Sequence, residues 1–234
     1  MDALVARIGA DAIRTGTAVR ALRRTGGGWS VVTAGEEIAA AEVLVATPAW
    51  AATPLVAPHD ATLAARLESI PFSSSAVVTL AWPRSAMARP LAGSGWLVPA
   101  TEGVAALAVS VSTNKFAGRA PGSVVLLRVF LGRRGEELLA GDDRTLVDAA
   151  IAEAAPPLGL DGAPFFARVA RWSRALSLYT LGHAARIAEI EARTAALPGL
   201  HLAGASYRGL GIPDCITDGL AAANRLTLAT GVAA

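Results

Sequence analysis

The stretch that most constrains this chain lies near its end: Leu202-Ala203-Gly204-Ala205-Ser206-Tyr207-Arg208-Gly209-Leu210-Gly211-Ile212-Pro213-Asp214-Cys215-Ile216-Thr217-Asp218-Gly219. An apolar strand, His201 to Ala203, runs into a turn holding Gly204, Gly209 and Gly211. A helix then opens with Pro213 in its first turn and continues through Ile216, Leu220 and Leu226. Strand, glycine turn and helix N-terminus together predict a polar, electropositive cradle of backbone N–H groups. Glycines let a flat or anionic ligand approach the main chain where a Cβ would collide. The alternative for the same residues is a plain strand–helix loop.

The rest of the chain must supply the core around this unit. At 234 residues it suits one large domain or two small ones, and 53% hydrophobic residues provide for a large core. The formal charge is only +2, with no Lys/Arg cluster interleaved with aromatics, which argues against nucleic acid as a partner. One cysteine, Cys215, leaves no intrachain disulfide and fits a reducing compartment, so a cytoplasmic location is expected. No apolar run reaches the length of a membrane span, while peripheral membrane contact stays open.

Along the chain, Asp2 to Ile8 reads as a short helix ended by Gly9. Thr17 to Arg24, the Gly26-Gly27-Gly28 run and Trp29 to Thr33 predict a β-hairpin. Glu42 to Ala46 is a strand stopped by Thr47-Pro48, and Asp60 to Ile70 a helix with Leu63 and Leu67 four apart. Ser73 to Trp82, Gly95 to Val98, Val104 to Thr113 and Ser123 to Gly132 predict an antiparallel sheet. Asp142 or Asp143 caps a helix to about Ala155 that Pro156-Pro157 closes. Phe165 to Trp172 is a strand, and His183 to Leu197 a helix with Ile187 and Ile190 on its apolar side. The organisation expected is a first layer over residues 1–58, a mostly antiparallel sheet domain over 59–171, and a return to the first layer over 172–234.

Four ordered segments carry a family resemblance. The first is Gly204-Ala205-Ser206-Tyr207-Arg208-Gly209-Leu210-Gly211-Ile212-Pro213-Asp214-Cys215-Ile216. The second is Thr113-Asn114-Lys115-Phe116-Ala117-Gly118-Arg119-Ala120-Pro121. The third is Arg171-Trp172 with Leu178-Tyr179-Thr180-Leu181-Gly182-His183, and the fourth Thr15-Gly16-Thr17-Ala18-Val19 with Val43 to Pro48. Together they resemble the oxygen-dependent protoporphyrinogen and coproporphyrinogen III oxidases, FAD flavoproteins of the amine-oxidase-like superfamily. The resemblance implies an α+β (α/β) chain forming the C-terminal half of that fold, with an antiparallel-sheet substrate domain inserted between segments of the FAD domain. The family opens on a strand–G-x-G-x-x-G–helix unit that seats the FAD pyrophosphate. This chain has no such unit, because Gly26-Gly27-Gly28 sits in a hairpin. The expectation is therefore a C-terminal portion, roughly half of the whole enzyme.

The resemblance also assigns site residues. Val19 would offer its main chain to the adenine, Trp172 would pack on the FAD, and Leu210, Gly211 and Ile212 would line the flavin. Read without the resemblance, Val19 is an ordinary strand residue and Trp172 core or interface filler. His183 reads either as a structural histidine or cap, or as a catalytic group. No catalytic residue is assigned. His59, His183 and His201 lack metal-ligand spacing, so no metal is expected. Cys215 reads as a packing thiol against Ile212 and Ile216. Lys115 and Arg119 are turn charges or attractants for porphyrinogen carboxylates.

The implied reaction removes hydride equivalents from protoporphyrinogen IX or coproporphyrinogen III, with FAD as cofactor and O2 as the final acceptor. Two rivals remain: a related flavin amine oxidase, and an incomplete flavoprotein fragment that is inactive or requires a partner. The partners expected are thus a porphyrinogen and O2, with an N-terminal half supplied elsewhere or a dimer as further options.

Overall fold

The computed structural model describes residues 2–90, 92–132 and 136–230. In chain order its elements are α1 (Asp2–Ile8), β1 (Ala21–Thr25), β2 (Gly28–Val32), β3 (Glu37–Ala40), β4 (Val43–Val45), α2 (Ala49–Val56), α3 (Ala61–Glu68), β5 (Phe72–Pro83) and β6 (Gly95–Leu97). There follow β7 (Ala106–Val111), α4 (Ser112–Lys115), β8 (Val124–Leu131), α5 (Glu136–Ala140), α6 (Asp143–Leu158), β9 (Phe166–Ser177), α7 (His183–Ala195), β10 (Leu200–Leu202) and α8 (Ile212–Thr230). They form two compact units, one from residues 1–71 with 177–234, the other from 72–176. The sequence placed the divisions at 58/59 and 171/172; the structure places them at 71/72 and 176/177. The first shift arises because α3 packs on α2 and α7. The second arises because β9 continues past Trp172 to Ser177 as the fifth strand of the sheet.

In the unit of two segments, β1 and β2 form the expected hairpin, with Thr25 opposite Gly28 and a two-residue Gly26-Gly27 turn, and β3 adds to β2. Trp29 anchors this meander. It is buried, donates its indole N–H to the Pro198 carbonyl at 3.0 Å and meets the His59 ring edge-on. Gly199 must be glycine here: φ is +79°, and a Cβ would lie 2.8 Å from the Ala41 oxygen and 3.0 Å from Trp29 Nε1. β4 and β10 pair in parallel, Val43 opposite Leu200 and Val45 opposite Leu202. Leu63 and Leu67 of α3 and Ile187 and Ile190 of α7 are buried in this unit, which their four-apart and three-apart spacing predicts.

Unforeseen from the sequence is α2, which follows the Pro48 stop directly. Its Ala49 N–H is capped by the Ser206 hydroxyl at 3.0 Å, from the far end of the chain. α1 forms where expected and buries no residue.

The other unit is a five-stranded sheet in the order β6-β7-β8-β5-β9. Its β6–β7, β7–β8 and β5–β8 pairings are antiparallel. Leu146, Ala150, Ala154 and Leu158, each four apart on α6, are buried against Val78, Leu80 and Trp82 of β5 and Val125, Leu127, Val129 and Leu131 of β8. That alternation along β8 is the period-two signature of a half-covered sheet. Asp142 caps α6 by accepting from Thr145 N at 2.8 Å. The helix does not stop at Ala155. Pro156 and Pro157 continue it to Leu158, and Gly159, at φ +57°, ends it. The expected strand through Thr113 gives way at Ser112 to the single turn α4.

Candidate functional site

The glycine turn between β10 and α8 is held by residues on both of its sides. Asp218, on α8, is buried; one carboxylate oxygen accepts from Gly204 N at 2.7 Å and the other from Arg208 Nη1 at 2.6 Å. Arg208 also donates through Nε and Nη2 to Glu191 of α7, at 2.8 and 2.5 Å. Burial works against the Arg208 charge, but its bonds to Glu191 and Asp218 outweigh that and hold its pKa above the ordinary value. The Tyr179 hydroxyl accepts from Gly209 N at 2.8 Å and donates to the Ala205 carbonyl at 2.9 Å. Ser177 donates to the same carbonyl at 2.7 Å.

Burial pushes the Tyr179 phenol pKa up, and the acidic groups of Cys215, Asp214 and Asp218 add to this, against the lowering by the Gly209 N–H. Tyr179 stacks on His183 with ring centroids 3.8 Å apart. His183 is buried and its Nε2 sits 3.0 Å from the Tyr207 carbonyl. A carbonyl only accepts, so Nε2 carries the proton and His183 is a fastener of the turn. Tyr207 is buried as well, and that burial raises its phenol pKa.

This network changes the expected cradle. The N–H groups of Gly204, Gly209 and Gly211 are bound to Asp218, Tyr179 and Asp214 respectively, the last at 3.1 Å. A Cβ on Gly209 or Gly211 would meet the Asp214 side chain, not open ligand space. The turn therefore carries a carboxylate where an anion-binding nest would carry free donors. It presents outward the exposed, apolar Leu210 and Ile212 and the exposed Gly211 main chain. Such a surface fits the edge of a flat, largely apolar ring system, and it does not fit a pyrophosphate.

The remaining expected residues lie elsewhere. Val19 is exposed and precedes β1, whose pairing its neighbour Arg20 extends by donating to Val32 O at 2.7 Å. Trp172 is exposed on β9, in the sheet unit and not in the unit that holds Val19 and Leu210–Ile212. A separate pocket of about 440 Å³ opens beside β10, lined by Ile187, Ile190, Leu200, Leu202, Tyr207 and Arg208 among others, and by none of the expected residues. Sequence reasoning missed Asp218, Arg208 and Tyr179 as the supports of the turn. The local signal was the place of Arg208 and Tyr179 within matched segments; Asp218 lies two residues beyond one.

The family model for flavin containing amine oxidoreductase matches residues 1–227. The chain is 34% identical to the coproporphyrinogen III oxidase of Propionibacterium freudenreichii subsp. freudenreichii, over 93% of this chain and 41% of that protein. It is 30% identical to the coproporphyrinogen III oxidase of Bacillus subtilis (strain 168), over 88% of this chain and 44% of that one. A solved structure from Exiguobacterium sp. 255-15, provisionally named a protoporphyrinogen oxidase, superposes with a TM-score of 0.84 at 26% identity, covering 97% of this chain and 51% of its own. The chain thus spans about half the length of the relatives it matches. Among the described residues, no helix is long and apolar enough to cross a membrane.

Proposed function

Because the chain belongs to the flavin containing amine oxidoreductase family, we propose that it forms the ring-facing part of an FAD-dependent porphyrinogen oxidase. The observation that carries this reading is the turn at Leu210–Ile212. It is exposed and apolar, yet fixed from behind by Asp218, Arg208 and Tyr179. The 34% identity to a coproporphyrinogen III oxidase supports a porphyrinogen substrate. A bound FAD would supply the two-electron acceptor and O2 would be the final one, one H2O2 balancing each hydride and proton lost by the macrocycle. Three such rounds convert a porphyrinogen to the aromatic porphyrin.

What the chain contributes is positioning. Leu210 and Ile212 present apolar side chains to a ring edge, with the exposed Gly211 main chain between them. The buried Asp218–Arg208 pair holds the turn to α8, and Tyr179 ties Gly209 to Ala205, so the contact surface does not reorganise when a ligand arrives. Val19 and Trp172 are proposed further contacts, to the adenine and to the FAD. The exposed cations Lys115 and Arg119, beside Phe116, offer partners to substrate carboxylates. Hydride removal asks for no strong side-chain acid or base at the site, and none is assigned.

The test is a chimera in which this chain replaces the region it matches in the P. freudenreichii enzyme. The expected product is a yellow protein with about one equivalent of flavin, which turns coproporphyrinogen III into fluorescent coproporphyrin III while consuming O2. A chimera that binds flavin and oxidises a primary amine but no porphyrinogen would overturn the substrate class. The purified chain alone is expected to hold FAD poorly, since its glycine turn carries the Asp214 and Asp218 carboxylates where a phosphate would need free donors.

A further inference from the structure

The sheet of the 72–176 unit packs one of its two sides against α6. Alternation along each strand sorts the side chains. Val125, Leu127 and Val129 of β8 join the α6 core, so Leu126, Arg128 and Phe130 stand on the opposite side. On β9, Val169 packs against the same core. Its neighbour but one, Arg171, pairs with Asp143 of α6 and donates to the Leu139 and Gly141 carbonyls at 3.2 and 2.6 Å. Phe166 and Arg168 therefore stand with Arg128 on the opposite side. On β6, Trp96 packs against the core, which places Leu97 opposite, 82% exposed.

A solvated side of an antiparallel sheet alternates to polar residues. This one instead offers Leu97, Leu126, Phe130 and Phe166. Its charges have one sign, because the five strands contain no Asp or Glu. Arg128 and Arg168 are exposed, and among the described residues neither has a carboxylate partner. The Arg128 guanidinium lies over the Phe130 ring at 5.4 Å. The contrast with Arg171, neutralised on the α6 side, is one of placement: α6 supplies a carboxylate and the other side has none. β5 separates β8 from β9, so the two arginines rise about 10 Å apart across the sheet. Spaced cations on an apolar, aromatic surface complement an apolar ring system with carboxylates on its rim.

We propose that Arg128 and Arg168 are specificity-determining residues: they bind rim carboxylates of the porphyrinogen and make this unit favour a macrocycle with four carboxylates over one with two. The inference rests on the porphyrinogen reading above and deepens it. Coproporphyrinogen III carries four carboxylates and protoporphyrinogen IX two. With Lys115 and Arg119, the unit offers four exposed cations. A dicarboxylic ring leaves at least two of them without an anion, while a tetracarboxylic ring can pair them all. Leu126, Phe130 and Phe166 take the apolar body of either ring alike, so the arginines carry the difference.

The experiment titrates the purified chain, without flavin, with two stable fluorescent probes: coproporphyrin III, with four carboxylates, and mesoporphyrin IX, with two. Coproporphyrin III is expected to bind about 10-fold tighter, a preference that shrinks as salt is raised. In the double variant Arg128→Gln, Arg168→Gln the preference should fall to about 2-fold, through weaker binding of coproporphyrin III. Both positions are exposed, so the circular dichroism should not change. Arg128→Lys with Arg168→Lys keeps the charges without the guanidinium fork and should hold a preference of about 5-fold. Arg144→Gln removes a cation of α6 whose side chain is 89% exposed, and serves as the control that leaves the preference unchanged. A preference untouched by the double Gln variant, or lost equally in Arg144→Gln, overturns the inference, as does a chain that binds neither porphyrin. The double Gln variant placed in the chimera separates this inference from the reading it rests on. Oxidation of coproporphyrinogen III with its preference over protoporphyrinogen IX unaltered would overturn the inference alone. Oxidation of amines only, by the unsubstituted chimera, would overturn the porphyrinogen reading itself.

Discussion

Glycines at 209 and 211 sit two residues apart in one turn and do different work. Gly209 has φ +150°, and a Cβ there would come within 2.3 Å of Asp214 Cβ and 2.5 Å of its Cγ. Gly211 has no left-handed backbone, and its Cβ would approach the end of the Asp214 carboxylate at 3.0 Å, an atom that can swing away. Gly209→Ala is therefore expected to cost about 2 kcal/mol of stability, through backbone strain and displacement of Asp214. Gly211→Ala is expected to cost under about 1 kcal/mol, being left to rotamer adjustment. Urea unfolding of the two variants beside the parent checks the order; equal losses would mean that conformation at Gly209 is not what fixes the turn. At this scale the sequence marked the right segment. It could not separate the two glycines, because φ and the path of the Asp214 side chain are set by where α8 begins.

Helix starts were the most legible elements. Asp60 and Asp142 each precede an apolar-periodic run, and each accepts from the N–H three residues on, at 2.8 Å. Asp60 carries more than a cap: Arg193 of α7 donates to both its carboxylate oxygens, at 3.0 and 2.8 Å. The Leu63 N–H holds the Asp60 pKa below its ordinary value, with Arg193 adding to this against a smaller opposing effect of burial. A depressed folded-state pKa gives stability that is complete above the unfolded-state value and is lost as pH falls through the folded one. Asp60→Asn keeps an oxygen for the Leu63 N–H but cannot titrate. The stability difference between parent and variant should be constant above about pH 5 and shrink from about pH 4 towards pH 2. Urea midpoints across that range test it, and a difference independent of pH would remove Asp60 from the acid response. Less legible were Pro156 and Pro157. Prolines stop a helix by clashing with the preceding turn, yet α6 carries both in its last turn, so Gly159 and not the prolines ends it.

At the scale of the whole chain, two cores are built in two ways. The sheet unit is contiguous in sequence, and its core joins one face of the sheet to one stripe of α6. Leu127→Ala, fully buried at the centre of β8, should cost about 3 kcal/mol, read from the denaturation midpoint; a loss under about 1 kcal/mol would mean that the α6 interface collapses to fill the space. The other unit is assembled from segments separated by more than a hundred residues, and it leaves α1 and one side of α8 uncovered.

The sequence by itself determined the period of each long element, the caps at Asp60 and Asp142, the strand–glycine turn–helix near its end, and through four ordered segments the family. These are properties of neighbours within a turn or two of one another, where local sterics and apolar spacing act. Only the tertiary structure decided that Ser206 caps α2 across 157 residues, that Trp29 bonds Pro198 across 169, and that Trp172 stays with the sheet unit. It also decided that the glycine N–H groups are spent on Asp218, Tyr179 and Asp214 instead of waiting for an anion. A buried donor must find an acceptor wherever packing brings one, and no local pattern encodes which distant residue that will be.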